Sequence, residues 1–491
     1  MSRFSPLRPR LTGLLWVLLL LSLPVTSFPY FPGGVGGQTL VRPLAVFPLI
    51  GLALVAILPA LWKQPLPRVL LPLAGFVLAA AASSLLGIIG EAESLRGVSQ
   101  AERLLRNLVT LGIGGGLYLA LALLPASRAD LEAALRWIYA GFSLALAWGS
   151  LQAVYVLRYS EAYFKLLDRL QDFISTRRLF DTRISGMTYE PNWFAEQICF
   201  LLLPWLLSAV LLDRSLFRWR WRRVSVELLL LVWSSLLMVF TYSRVGLFTL
   251  VTVLAAGFLF FRRRQPARQP GAPGLRWRRA AEAGLAAAVL LGVIFLAGTQ
   301  NRYFSRLWRF FTEETGGERF LEYIAFDQRI TYWQTAYTIY SQHPWLGVGL
   351  GNYAFYFQEA LPRQSWHRQP EILRQITPGE GNPRLITPKN LYVRLLAETG
   401  VIGTGLFLCF LLGLLGHAIF LWLSPAEDEY YWGAAGLLGL LVFSIGALSF
   451  DSFALPNMWV VFGLITAARR LSTQPAAAAL PAAALAPAGP A

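Results

Sequence analysis

The sequence predicts an all-α fold, a polytopic membrane helical bundle, and three features carry that reading. Of 491 residues, 56% are hydrophobic and 14% are charged, with a mean hydropathy of +0.51. A soluble domain carries about a quarter charged residues. Apolar runs of about 20 residues, the length a helix needs to cross the hydrocarbon of a bilayer, recur along the chain. The short alternating strands of an outer-membrane barrel are absent.

Hydropathy places twelve spans, at 11–28, 44–62, 69–90, 104–124, 132–157, 193–212, 224–241, 245–261, 280–298, 400–423, 431–450 and 456–468. The first follows the basic Arg3, Arg8 and Arg10 and precedes the small Val25-Thr26-Ser27, as in a cleaved signal peptide. Its apolar run is long for one and reads as a retained helix. The span 132–157 is the weakest, because Arg136, Trp148 and Gln152 interrupt it. Four regions follow: a transmembrane bundle at 1–298 with about nine helices, a large loop at 299–390, C-terminal helices at 391–470, and an Ala/Pro-rich tail at 471–491 expected to be disordered.

The formal net charge of +16 does not mark a nucleic-acid partner. The arginines lie in connections between apolar runs, as the positive-inside rule requires. Arg214, Arg218, Arg220, Arg222 and Arg223 fill one connection, and Arg262, Arg263, Arg264, Arg268, Arg276, Arg278 and Arg279 another. Lys63 with Arg68, and Arg469 with Arg470, mark two more. Alternation from a cytoplasmic N-terminus puts all of these inside, together with the C-terminus. Segments 158–191 and 299–390 then fall outside. Cys199 and Cys409, the two cysteines, sit within apolar runs, where packing is expected rather than a disulfide or metal site.

Chemistry-bearing residues gather at the external ends. Arg244, in Thr241-Tyr242-Ser243-Arg244, falls between two spans with almost no loop, at a depth where a charge marks function. A guanidinium fork matches two phosphate oxygens at once. Arg329 begins a helix-like stretch, 329–340, and reads equally as a second phosphate clamp or a solvated charge. Gly347, Gly349 and Gly351 favour close backbone approach. No strand precedes them and no lysine follows at P-loop spacing, which argues against a nucleotide loop.

Asn390 is an expected N-cap for a helix starting at Leu391, with Tyr392 beside it. Lys389 then stands at the positive end of that helix's dipole, which disfavours its charge; a base or a surface lysine are equal readings. Glu190 reads as an acid or orienter, or as a solvated carboxylate, and Asn192 as a cap for the span at Trp193. Of the three histidines, His343 and His417 read as structural, and His367 as the one placed to titrate in a site. No His/Cys/Asp cluster has metal-ligand spacing.

Together these motifs resemble the O-antigen ligase and O-antigen polymerase family of bacterial envelope enzymes. The matching pieces are Gly186…Pro191-Asn192, Ser243-Arg244, Arg329…Trp333, the run from His343 to Asn352, and Asn390-Leu391-Tyr392…Glu398-Thr399-Gly400-Val401-Ile402-Gly403. The resemblance implies an inverting, metal-independent glycosyltransferase of the multi-helix membrane type with no cofactor, in the bacterial inner membrane. It moves a glycan from undecaprenyl diphosphate to a glycan or lipid acceptor at the periplasmic face, as ligase or polymerase. It puts the diphosphate on Arg244 and Arg329, with Asn192, Asn390 and Tyr392 as further substrate contacts. Family ligases usually place a histidine before the Asn-Leu pair, proposed as base, where this chain has Lys389. Lys389, His367 and Glu190 are therefore the catalytic candidates, with a purely electrostatic role for Lys389 the alternative. A polyprenyl-glycan flippase or small-solute transporter is the rival of another class. It calls for polar residues at mid-membrane, and these spans carry few.

Overall fold

A computed structural model of the chain describes residues 7–32, 40–89, 94–222, 224–262, 326–362, 372–373 and 385–473. Its helices are α1 (Leu7–Ser22), α2 (Val46–Lys63), α3 (Leu70–Ile89), α4 (Gln100–Leu123), α5 (Arg128–Leu157), α6 (Glu161–Gln171) and α7 (Pro191–Leu211). There follow α8 (Val226–Thr241), α9 (Arg244–Arg262), α10 (Phe326–Gln342), α11 (Tyr353–Ala360), α12 (Leu391–Leu423), α13 (Glu427–Gly446) and α14 (Pro456–Thr473). One two-stranded antiparallel hairpin, Arg220–Trp221 with Val224–Ser225, lies between α7 and α8. Among the described residues, α2, α3, α4, α5, α7 and α12 are long and apolar enough to cross a membrane, which makes six, and three shorter apolar helices accompany them. The expected twelve spans are thus not reached within the described residues; the span at 280–298 and the tail lie outside them.

The weakest expected span becomes the 30-residue α5, and the residues that interrupt its hydropathy explain why. Gln152 is fully buried; its Oε1 accepts from the N–H groups of Ser185 and Gly186 at 2.9 Å each, and its Nε2 donates to the Gly186 carbonyl at 3.0 Å. Trp148 donates to Gln171 Oε1 at 2.7 Å. Each polar group is thus spent on a neighbouring element rather than left facing lipid. Gln152→Leu strands two buried backbone donors and is expected to cost about 2–4 kcal/mol, read as a lower melting temperature in detergent.

Aromatic rings interlock α12, α13 and α14: Phe407, Phe410, Phe443, Phe453 and Phe462 are buried, with Phe443 and Phe462 centroids 5.2 Å apart. The bundle has two chemically distinct ends. At one, Arg214 pairs with Glu132 and, at 2.5 Å, with Asp428, while Arg128 pairs with Glu429 at 2.5 Å. Arg470 there donates to the carbonyls of Ala122 (3.0 Å) and Pro125. These contacts join the connection at Arg214 and the helix end at Arg470, two of the four basic groups expected inside; residues 263–279 of another lie outside the described residues. The other end gathers the starts of α7, α9 and α12, the 447–455 connection, and α10.

Both cysteines are free. Cys199 is buried in α7, whereas Cys409 is exposed on α12, on an apolar helix surface rather than in the core.

Candidate functional site

The site end is organised by a break in α12. Gly400 has φ +60 and ψ −166, so the helix is interrupted between two straight segments rather than starting at 400 as the hydropathy suggests. The interruption exposes backbone groups that the His343–Asn352 loop takes up. Val401 N–H donates to the Pro344 carbonyl at 2.8 Å and Ile402 N–H to that of Trp345 at 3.2 Å. In return, Val348 N–H donates to the Ala397 carbonyl at 3.0 Å and Gly349 N–H to that of Glu398 at 2.9 Å. The chains approach so closely that a Cβ on Gly347 would overlap Glu398, and one on Gly400 would overlap Trp345. The glycine run is therefore a packing device. Gly400→Ala adds strain in a backbone region that is nearly glycine-only, at about 2–3 kcal/mol, besides the overlap. Protein that expresses but melts at a markedly lower temperature is the expected result.

Glu398 locks this joint. Its side chain is 1% exposed; Oε2 accepts from Gly351 N–H at 2.7 Å and from Arg394 Nε at 2.8 Å. From the membrane helices, Arg103 Nε and Nη2 donate to the Gly351 carbonyl at 3.0 and 2.9 Å, and Asn107 donates to that of Leu350 at 2.6 Å. Ser84 Oγ accepts from Leu350 N–H at 2.9 Å, and Ser83 Oγ donates to the Leu346 carbonyl at 2.5 Å.

On this frame stand two groups of cations. The first surrounds the α8–α9 turn. Tyr242, in the left-handed region at φ +49, ends α8, and Ser243 Oγ accepts from Gly246 N–H at 3.2 Å to start α9 at Arg244. Arg244 is exposed at this turn. Arg183 Nε donates to the Thr241 carbonyl at 2.8 Å, three residues before Arg244, and its Nη2 donates to Asn192 Oδ1 at 3.0 Å. Glu190 Oε1 pairs with Arg177 Nη1 at 3.1 Å, and that guanidinium also lies 4.2 Å from the Phe180 ring centroid.

The second group lies where α12 begins. Asn390 caps it as expected, its Oδ1 accepting from the N–H groups of Tyr392 (2.9 Å) and Val393 (3.4 Å). Lys389 takes φ +53, and its N–H donates to Asp451 Oδ2 at 2.7 Å. Its ammonium sits 4.9 Å from the Tyr332 ring centroid. Arg394, buried, donates to the Asp451 carbonyl. Arg329 lies on α10, where the sequence places a helix, and its Nη1 donates to Ser449 Oγ at 3.2 Å.

The structure thus brings Arg244 and Asn192 together in one group, and Lys389, Asn390 and Arg329 in the other. Glu190 borders the first through Arg177. Tyr392 turns to the bundle, its hydroxyl donating to the Ser444 carbonyl at 3.1 Å. His367 lies outside the described residues. One expectation is corrected: Asn192 does not cap α7. Glu190 holds the cap position, Pro191 occupies the first turn because its missing N–H costs nothing there, and Asn192 is free to accept from Arg183. Arg183, Arg394, Asp451 and Glu196 belong to this end and were not singled out in the sequence. Arg183 carried a signal, as a cation just ahead of the Gly186…Asn192 motif. Asp451 carried none, since it stands alone in a short connection. Glu196, on α7, lines a pocket with Phe450 and Ser452 of the 447–455 connection, and so lies between the two groups.

A helical membrane bundle with cations collected from distant segments at one end, held by a glycine loop docked in a broken helix, defines the class of protein. A family model described as O-antigen ligase matches residues 229–408, a stretch that runs from α8 to the middle of α12 and contains Arg244, Arg329, Lys389 and the broken joint. This match bears out the resemblance that the motifs carry, and together with the apolar helices it fits a bacterial membrane protein. A comparison with curated proteins found no match.

Proposed function

We propose that the chain is an O-antigen ligase-like glycosyltransferase. It moves a glycan from undecaprenyl diphosphate to an acceptor hydroxyl, on lipid A core or a similar acceptor, at the periplasmic face, with inversion and without a metal. The observation that supports this most is the gathering of Arg183, Arg244, Arg329 and Lys389 at the end of the bundle opposite the Arg214–Asp428–Arg128 contacts. By the positive-inside rule the latter end is cytoplasmic, so the cations face outward.

A lipid diphosphate is already a good leaving group. What it needs is compensation for the negative charge that grows as the anomeric carbon–oxygen bond breaks. Fixed guanidinium groups supply that compensation without reorganising during the step. In this reading Arg244 and Arg329 bind the two phosphates from opposite sides, Arg183 and Asn192 orient the first group, and Asn390 and Tyr392 fix the helix start beside the substrate. Lys389 contributes positive charge beside the Tyr332 face, where a cation and the ring attract each other. The apolar outer surface of the helices gives the polyprenyl tail a path along the bundle.

The test is reconstitution. Purified protein in lipid nanodiscs receives undecaprenyl-diphosphate-linked glycan and a lipid A core acceptor, and products are separated by gel and weighed by mass spectrometry. One glycan added per acceptor supports the ligase; a ladder of joined repeats means a polymerase; an intact donor means neither.

A further inference from the structure

A small pocket, partly open to solvent, lies between the two cation groups and is lined by Glu196 and Phe200 of α7, Phe450 and Ser452 of the 447–455 connection, and Asn457 and Met458 of α14, with Leu455. Its polar lining is acceptor-rich. Glu196 contributes a carboxyl group; Asn457 is 2% exposed, and its Oδ1 has no hydrogen-bond partner among the described residues. A buried amide oxygen without a partner is costly, so such an atom points to a donor that is absent from the free protein. The charged groups facing Glu196 are the acidic Glu190 and Asp451, and Glu196 makes no ion pair among the described residues. Apart from Ser452, the remaining walls are apolar, with the Phe200 and Phe450 ring centroids 6.0 Å apart.

We infer that this pocket takes the attacking hydroxyl group of the acceptor, with Glu196 receiving its proton and Asn457 Oδ1 accepting from a neighbouring hydroxyl. The inference rests on the glycosyltransferase reading above and adds a carboxyl proton acceptor beside the two groups of cations. A carboxylate and an amide oxygen both accept hydrogen bonds, and a polyol offers donors to each. The apolar walls suit the C–H faces of a sugar. The enclosed part is small and suits a hydroxyl or hydroxymethyl arm, with the ring at the open mouth. In the step, the acceptor O–H bond gives its proton to a Glu196 carboxylate oxygen while the acceptor oxygen forms a bond to the anomeric carbon. The anomeric carbon–phosphate oxygen bond breaks, and its electron pair leaves with undecaprenyl diphosphate, whose added charge the arginines balance. Glu196 afterwards releases the proton to water.

The experiment compares wild type, Glu196→Gln, Glu196→Asp and Asn457→Leu as full-length protein in nanodiscs, measuring transfer at varied acceptor, retention of radiolabelled donor, and the pH profile. A positioned base contributes about 10²–10⁴-fold. Glu196→Gln is therefore expected to lower kcat at least a hundredfold with donor retention unchanged, and to abolish the rise of rate with pH on the acid limb. Glu196→Asp is expected to recover part of the rate and to keep that limb. Asn457→Leu is expected to raise KM for the acceptor several-fold with a smaller change in kcat. Glu196→Gln transferring at the wild-type rate, or losing rate with its acid limb intact, overturns the inference and leaves the glycosyltransferase reading standing. Wild-type protein that retains donor but never transfers it overturns both. Should Glu196→Gln lose donor retention as well, its role is structural and the inference falls.

Discussion

Arg244→Ala lowers glycan transfer by about a hundredfold to a thousandfold, the loss expected when one preorganised partner of developing charge is removed. Arg244 stands at the first position of α9, exposed at a turn whose own backbone is held by Thr241, Ser243 and Arg183. Its removal leaves those contacts in place, so the protein should fold and melt near the wild-type temperature. Arg244→Lys separates the two properties of the guanidinium: a lysine keeps the charge but loses the fork, and recovers only part of the rate. The check is a rate measurement on purified variants at saturating acceptor, paired with donor retention. Wild-type rates from Arg244→Ala would remove this residue from the diphosphate site.

Glu398→Ala is expected to act through stability, at about 3–5 kcal/mol, the cost of stripping a buried ion pair of one partner. Arg394 is 6% exposed, and its guanidinium loses the carboxylate 2.8 Å away. The same change strands Gly351 N–H, which donates to Glu398 Oε2 at 2.7 Å. With both contacts gone, the glycine loop has lost a principal tie to α12, and a marginally stable fold does not tolerate that easily. Thermal unfolding in detergent is the measurement. A variant that melts within a degree of wild type would mean that the Arg394–Glu398 pair does not hold the joint. Glu398→Gln keeps an acceptor for Gly351 but loses the charge, and is expected to fall between.

Much of the fold was legible because a bilayer is a demanding solvent: apolar length, capping asparagine at 390 and arginine-rich connections each have one physical meaning there. Asn390 could be read as a cap from its place before an apolar run, and the structure has it in that role. A helix over 329–340 was legible from the spacing of Tyr332, Trp333, Ala336 and Tyr340, and the structure extends it to Phe326–Gln342. What hydropathy hid was that the helix starting at Leu391 continues, through the break at Gly400, into the apolar run at 400–423. Arg394 and Glu398 look too polar for a span until their mutual pairing, eight residues into the helix, removes the cost. Gln152 misled in the same way, since a polar group in a span is penalised only when it lacks a partner. At the site, Arg244 stood out because a charge in so tight a turn between two apolar runs is costly unless it is paired or reaches the headgroups. Asp451 and Glu196 did not stand out, because their meaning comes from segments more than 60 residues away in sequence that only folding brings near.

Which face of the membrane holds the cation groups is the most direct question. With Cys199 and Cys409 replaced by alanine, single cysteines at Arg178, whose side chain is 84% exposed at the site end, and at Asp213, 79% exposed at the other, report the two ends separately. A membrane-impermeant thiol reagent added to cells with a permeabilised outer membrane should label Arg178→Cys at once and Asp213→Cys only after the inner membrane is lysed. The reverse pattern would put the arginines on the cytosolic side, away from any periplasmic acceptor, and would contradict the account.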